Sequence, residues 1–573
     1  MHRGWLHGLL GVVLACLPAF AWAAPAGDSE RAIVHPVHGR HGMVASQEAS
    51  ATRVGLEVLE HGGNAVDAAV SVAFALAVTL PSAGNLGGGG FMLVHDAASG
   101  DTVAIDYREK AGSNAFRDMF LDEQGNADTE RSRESGLAVG VPGTVAGMAL
   151  ALERYGTITL KEALAPAIRL AEQGIAVSPE LAASLEDASE RLRRWPSSAA
   201  IFYHPDGTPY AAGETLVQQD LANSLRTIAA QGPSGFYDGP VARAIVAAVE
   251  SAGGHLTLDD LEAYRAVARA PVAGTYRGYR ILSMPPPSSG GVHIVEILNT
   301  LEGVPIGQLG QNSAATIHMM AEAMKYAYAD RSAYLGDPDF VDVPIKALTS
   351  KAYARAILAK IDRDHATPAT AIRPGELAAY ESPDTTHFSV VDQDGNAVAN
   401  TYTLNFGYGL GLVADGTGIL LNNELDDFSA KPGVPNAYGL IGGAANAVAP
   451  GKRPLSSMSP TIVLKDGKPF LVTGSPGGSR IITTVLQIIM NVIDHDMNIA
   501  EATYAPRIHH QWLPDELRVE AGLSPDTIRL LEQMGHHVVL KDTMGSTQSI
   551  MITDQGLFGS SDPRTPGDLT LGY

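Results

Sequence analysis

Apolar residues recur at helical spacing over 50–61 and stop at Gly62-Gly63, which predicts an amphipathic helix ended by glycine. Asn64 then offers a cap, and Asp67 stands at the third helical position, where an acid suits the helix dipole. The following run, Ala65–Thr79, is apolar almost all round and predicts a helix buried on every side. Pro81 ends it, and four glycines at 87–90 lead into a short strand at 91–95. Residues 150–360 read mostly as helices with polar breaks. Among them are 258–264, behind a Thr257 cap, and 315–334, which runs out before Gly336-Asp337-Pro338. Between those two, Met284-Pro285-Pro286-Pro287-Ser288-Ser289-Gly290-Gly291 predicts a rigid loop and no helix.

The pattern changes after a Pro- and Gly-containing loop at 365–384. Residues 388–391 and 397–405 alternate like strands around Asp394-Gly395, and 461–464 and 470–473 do the same around Asp466-Gly467. A buried helix over 481–493 follows, and Ser524-Pro525 opens another that stops at Gly535. No fixed-period repeat is present. Helices and antiparallel hairpins in separate blocks predict layered α+β structure and not a doubly wound parallel sheet.

Composition narrows the function. The 573 residues carry 40 Lys+Arg against 62 Asp+Glu, a formal charge of −22, with 45% hydrophobic residues. That is too apolar for a disordered chain. It is also too acidic to favour phosphate backbones or an anionic membrane surface, so neither nucleic acid nor lipid is an expected partner. Residues 1–26 have the form of an export leader: Arg3 at the start, an apolar run over 6–20, and Ala21-Trp22-Ala23 as a small-x-small cleavage site. Residues 1–23 are thus expected to be a signal peptide, placing the mature chain in the periplasm or outside the cell without stable membrane insertion. A retained anchor and a lipoprotein at Cys16 are the alternatives. Cys16 is the only cysteine, so the mature chain would have no disulfide and no thiolate nucleophile.

Common catalytic signatures are missing: no Gly-x-Ser-x-Gly, no His-Glu-x-x-His, no phosphate loop ending in Gly-Lys-Ser/Thr. The glycines at 87–90 lack the strand–turn–helix setting of a dinucleotide site and read as a tight turn. Asp392-Gln393-Asp394-Gly395 begins like a calcium loop, but its twelfth position is Thr403, so a hairpin is the expectation. His35, His38 and His41 lie in a stretch without helical pattern and are a poor metal set, while His509-His510 and His536-His537 read as structural. The informative stretch is Asp384-Thr385-Thr386-His387-Phe388-Ser389-Val390-Val391, where a loop meets a strand. Behind it come 422–428 (Asn-Asn-Glu-Leu-Asp-Asp-Phe), 453–461 (Arg-Pro-Leu-Ser-Ser-Met-Ser-Pro-Thr) and 474–480 (Gly-Ser-Pro-Gly-Gly-Ser-Arg).

Taken together, and with 62–69, 87–91, 106–109, 329–331 and 336–338 upstream, these motifs resemble the gamma-glutamyltransferase family (gamma-glutamyl transpeptidase, glutathione hydrolase) over essentially 34–573. The resemblance implies an N-terminal-nucleophile hydrolase fold, a four-layer αββα sandwich of two antiparallel sheets between helices. It also implies a precursor that cuts itself between Asp384 and Thr385 into a large subunit, 24–384, and a small one, 385–573, which stay together as an intertwined heterodimer. Thr385 is then the nucleophile, activated by its own new α-amine and supported by the hydroxyl of Thr403, with Gly477 and Gly478 as oxyanion donors. Arg108, Ser456 and Ser457 are expected to hold the substrate α-carboxylate; Asn405, Glu424 and Asp427 its α-ammonium; Tyr438 to gate a lid loop. Substrates are glutathione and other γ-glutamyl compounds, with water, amino acids or peptides as acceptors, and neither cofactor nor metal is expected. A cephalosporin or glutaryl acylase on the same scaffold and a non-catalytic envelope protein are the alternatives.

Overall fold

A computed structural model describes residues 32–373, 385–431 and 443–573. The leader, Asp384 and Tyr438 lie outside the described residues. Two seven-stranded sheets organise the chain, and every neighbouring pair of strands in them is antiparallel. The first runs, in spatial order, Leu569–Gly572, Met43–Ser46, Thr386–Val391, Ala397–Thr403, Gly89–Asp96, Asp101–Tyr107, Val267–Arg269. The second runs Val37–Gly39, Gly556–Ser560, Ser549–Thr553, Lys468–Thr473, Thr461–Lys465, Tyr279–Ser283, Val272–Tyr276. In both, strands from before and after residue 385 lie side by side.

The period of two along each strand sorts the core. In the first sheet Val44, Met92, Val94, Phe388, Val390 and Val398 point to one face, where the helices Ala49–Glu60 and Ala65–Thr79 cover them. Met43, Ala45, Phe91, Leu93, Val391, Ala397 and Ala399 point to the other and pack on Ile281, Ile462, Val472 and Ile550 of the second sheet. Gly290–Leu301, Ala314–Tyr334 and Arg480–Asp494 contribute Ile294, Ile317 and Ile482 to that same core. The result is the αββα layering expected from the sequence. No helix among the described residues is long and apolar enough to cross a membrane.

Local expectations hold where short-range chemistry decides. Ala65–Thr79 is buried along its whole length, and Asn64 and Asp67 form a reciprocal capping box at its start. Asp392 spends its carboxylate on structure: Oδ1 accepts from the Asp394 and Asn396 amides and Oδ2 from the Ala65 amide, so hairpin and helix start are tied together. The hairpin reading of 392–395 stands. At Asp466-Gly467 both residues take positive φ (52° and 81°), as a tight two-residue hairpin turn requires.

Most elements begin or end within two residues of expectation, and two of the differences have a clear cause. The strand expected over 397–405 ends at Thr403, because Asn405 turns into the left-handed region at φ 81°. The loop over 284–291 gives way to helix at Gly290. There the missing side chains matter: a Cβ on Gly290 would sit 2.0 Å from Ser459 Oγ, and one on Gly291 2.4 Å from the Met284 carbonyl oxygen. Glycine lets this first turn lie directly on its neighbours.

Candidate active site

The hairpin register places the central pair of threonines. The turn between the first two strands of the small segment is centred on Asp394, with Thr386 opposite Tyr402 and Val391 opposite Ala397. Thr385, one residue before the strand, therefore faces Thr403, and its Oγ1 lies 3.5 Å from Thr403 Oγ1. Thr403 is buried and its Oγ1 also accepts from the Asn405 amide at 2.9 Å. Thr385 stays half-exposed at the wall of a cleft of about 320 Å³, which Arg108, Arg331, Thr403, Asn405 and Glu424 help to line. His387, two residues on, is no partner for it. Its ring bonds to Thr401 and Ser389, and burial pushes its pKa down to about 3, so it stays neutral.

Arg108 leaves the strand Asp101–Tyr107 and is wholly buried. Its Nη1 donates to Glu424 Oε1, its Nη2 to Asp427 Oδ2, and its Nε to the Pro454 carbonyl at 3.2 Å. The acids sit on one turn, Glu424–Asp427, held by Asn422, which accepts the Glu424 amide and donates to the Gly87 and Gly140 carbonyls. Asn405 donates to the Asn423 carbonyl at 3.0 Å and is buried beside this turn. The residues expected to grip opposite ends of a substrate are thus paired with one another across the cleft.

A third acid, Glu109, lies 3.9 Å from the Arg108 guanidinium with neither carboxylate oxygen hydrogen-bonded. Burial raises Glu424 well above, and Asp427 above, the usual carboxylate range, against the pull of Arg108. Burial alone would lower Arg108, but Glu424 and Asp427 outweigh it and hold the guanidinium charged. Burial likewise lifts Glu109 to about 7. A carboxyl whose folded pKa exceeds its unfolded value stabilises the fold while protonated, and that contribution fades as pH rises through the folded value. Glu109→Gln removes this titration. Its melting temperature relative to the parent chain is expected to rise between pH 5 and pH 8, measured without substrate; a difference that stays constant over that range would exclude it.

The proline-rich loop supports the other wall. The Ser456 amide donates to the Pro287 carbonyl, and Ser289 donates to the Ser456 carbonyl through both its amide (2.8 Å) and Oγ (2.9 Å). Arg331, from the long helix, donates to Ser289 Oγ at 3.0 Å and to Ser457 Oγ at 3.2 Å. Gly477 and Gly478 take positive φ (129° and 56°) just before the helix Arg480–Asp494, and Gly478 lines the cleft. Of the residues singled out from the sequence, Thr385, Thr403, Arg108, Asn405, Glu424, Asp427, Ser456, Ser457 and Gly478 share this cleft; Gly477 adjoins it. Arg331, Met458, Ser479 and Ile481 line it too and were not anticipated. Arg331, Met458 and Ser479 stand within the family-like motifs at 329–331, 453–461 and 474–480, but no role was assigned to them. Arg331 is brought in by the three-dimensional course of its helix, and burial lowers its pKa to about 10.

The family model for gamma-glutamyltranspeptidase matches residues 51–571. The chain belongs to the gamma-glutamyltranspeptidase family. It is similar to the glutathione hydrolase proenzyme of Escherichia coli (strain K12), 61% identical over 546 residues, 95% of this chain and 94% of that protein. Solved structures that carry the fold include two similar to this chain. One is a cephalosporin acylase from Bacillus halodurans, with TM-score 0.83 and 29% identity over 98% of this chain and 99% of that one. The other is the gamma-glutamyltranspeptidase of Helicobacter pylori, with TM-score 0.58 and 47% identity over 60% of this chain and 97% of that one. The two antiparallel sheets between helices are therefore the N-terminal-nucleophile hydrolase fold.

Proposed function

We propose that the chain is an exported, self-processing γ-glutamyltransferase and glutathione hydrolase. The observation that carries this reading is Thr385 at the wall of a cleft whose buried Arg108 is matched by Glu424 and Asp427. Cutting between Asp384 and Thr385 would give a large subunit of 24–384 and a small one of 385–573. It would also free an α-amine on Thr385 with a pKa of about 7.7–8.0 in model compounds. A partly neutral amine takes the hydroxyl proton, directly or through one water, and the oxygen attacks the γ-amide carbonyl. Thr403 Oγ1 steadies the nucleophile. The Gly477 and Gly478 amides, with no side chain of their own in the way, receive the developing oxyanion. Collapse breaks the C–N bond, the proton passes to the departing amine, and a γ-glutamyl ester on Thr385 remains for water or an amino acid or peptide to resolve. The leader pattern at 1–23 supports a periplasmic or secreted setting.

Ion-pair exchange accounts for substrate choice. A γ-glutamyl group carries an α-carboxylate and an α-ammonium. The carboxylate takes Arg108, with Ser456 and Ser457, while the ammonium takes Glu424 and Asp427, with Asn405. Every buried charge keeps a partner throughout, which avoids the large cost of an unpaired one. Tyr438 is assigned the gate of a lid over this cleft by resemblance. An acylase reading on the same scaffold fares worse, because a glutaryl group has no ammonium to offer the two acids, and Glu424 Oε2 is already without a hydrogen-bond partner. Initial rates on γ-glutamyl and glutaryl anilides test this directly. The glutaryl compound is expected to lose about 100-fold or more in kcat/KM, as for a site whose buried polar groups are left unpaired; equal rates would favour the acylase.

A further inference from the structure

A second cluster of chemistry-bearing groups lies away from the cleft, where the helix Ala314–Tyr334 meets the 362–369 stretch and the turn after the helix Pro525–Gln533. His318, Glu322 and His536 are all buried there, and one ligand atom from each lies within 4.8 Å of the others. The two helix residues are four apart and so project from the same face.

The hydrogen bonds around them define which atoms are available. His318 Nε2 lies 2.8 Å from the Asp362 carbonyl oxygen, which can only accept, so Nε2 carries the proton and Nδ1 presents a lone pair. That Nδ1 is 2.8 Å from His536 Nε2. Glu322 Oε1 accepts from Lys325 Nζ at 2.8 Å and from the Thr367 amide at 3.2 Å, while Glu322 Oε2 is buried with no hydrogen-bond partner. A hydrogen bond between the two imidazoles satisfies the histidines but does nothing for Glu322 Oε2. An ion satisfies all three.

We propose that His318 Nδ1, Glu322 Oε2 and His536 Nε2 form a binding site for a borderline divalent metal, zinc being the best match. Two nitrogens and one carboxylate oxygen suit zinc, whereas calcium and magnesium want shells built of oxygen. The Nε2–H of His318 on a backbone carbonyl is the outer contact that fixes the tautomer and orientation of a ligating imidazole. Two ligands on a tetrahedral ion with bonds of about 2.0–2.1 Å sit roughly 3.3 Å apart, so a small swing of one ring opens the present gap enough. Among the described residues, Lys325 lies against the site. Its ammonium is engaged by Glu322 Oε1 and the Thr367 carbonyl and faces Asp515 at 3.9 Å, which leaves the second oxygen of Glu322 for the metal.

The placement gives the ion a purpose that stands whether or not the cleft works as proposed. His318, Glu322 and the 362–369 stretch precede residue 385, and His536 follows it. The metal therefore clamps the end of the first described segment onto the last. From the sequence, His536-His537 read as structural and no metal is expected, so the proposed site departs from that expectation.

The informative variant is His536→Gln. Its side-chain amide can still donate to His318 Nδ1, so the metal-free contact survives while one ligand is lost. Full-length protein is stripped with chelator, and zinc and cobalt(II) are added back to the parent chain and the variant. The expected result is one metal per chain in the parent and visible cobalt absorption of the intensity typical of four- or five-coordinate sites. Melting temperature should rise on zinc addition, and affinity should fall about 100-fold or more in the variant, at least the loss seen for outer-contact changes. Hydrolysis rates of the two proteins with their metal removed should agree within about twofold. Absence of zinc binding by the parent chain would overturn the proposal, and so would equal binding by parent and variant, since the ion would then sit elsewhere. If the variant does not fold, the parent's cobalt spectrum decides alone: weak six-coordinate absorption refutes the site.

Discussion

Thr385→Ala is expected to remain one uncut chain and to lose hydrolysis and transfer by about 10⁴-fold or more, the scale seen when a covalent nucleophile is deleted. Two steps fail together. The hydroxyl that would attack the 384–385 peptide bond is gone, so no α-amine is released, and the same hydroxyl is missing from the cleft opposite Thr403. Thr385→Ser separates this from misfolding, since it keeps a hydroxyl at that position and should still be cut. Denaturing gels and anilide turnover read both outcomes. A chain carrying Thr385→Ala that is cut, or that is uncut yet active, would remove Thr385 from the mechanism.

The second large effect is expected from Arg108→Gln. The guanidinium is wholly buried and touches Glu424, Asp427 and the Pro454 carbonyl, with Glu109 alongside. Taking it away strands three acids around one cleft. Removing one partner of a buried hydrogen-bonded charge pair costs about 2–5 kcal/mol, so kcat/KM for a γ-glutamyl anilide should drop by about 30- to 4000-fold at 1.4 kcal/mol per tenfold. Part of the loss should appear as lower stability, because the acids must take up protons to stay buried. Arg108→Lys is expected to fall in between, as a point charge cannot serve Glu424 and Asp427 through two separate nitrogens. An Arg108→Gln protein with unchanged kcat/KM would contradict the ion-pair exchange.

These two residues also show what a sequence reader can and cannot see. The hairpin around Asp394-Gly395 was legible, but Thr403 as the partner of Thr385 came only through the family motifs; the register centred on Asp394, which makes them face each other, is visible only in the structure. The capping box at Asn64 and Asp67 was legible because both partners lie within one helical turn. Arg108 was legible as a cation worth noticing only through the family motifs. Its contacts with Glu424 and Asp427 span more than 300 residues, and no local period encodes them. Nor does spacing reveal that the acids and the arginine neutralise one another before substrate arrives. Arg331 shows the limit most clearly. It stands within a quoted motif, yet only the packing of Ala314–Tyr334 against the Ser288–Ser456 bridge turns it toward Ser457. The glycines at 290 and 291 misled in the opposite sense, because local propensity against helix yielded to a close approach that only they permit.

All of the chemistry proposed for the cleft depends on residue 385 becoming the first residue of its own chain. Purified, turnover-competent protein should separate on a denaturing gel, and Edman sequencing or intact-fragment mass of the smaller piece should begin Thr-Thr-His-Phe-Ser. Active material that is continuous through residues 384 and 385, or a small fragment that begins anywhere else, would contradict it.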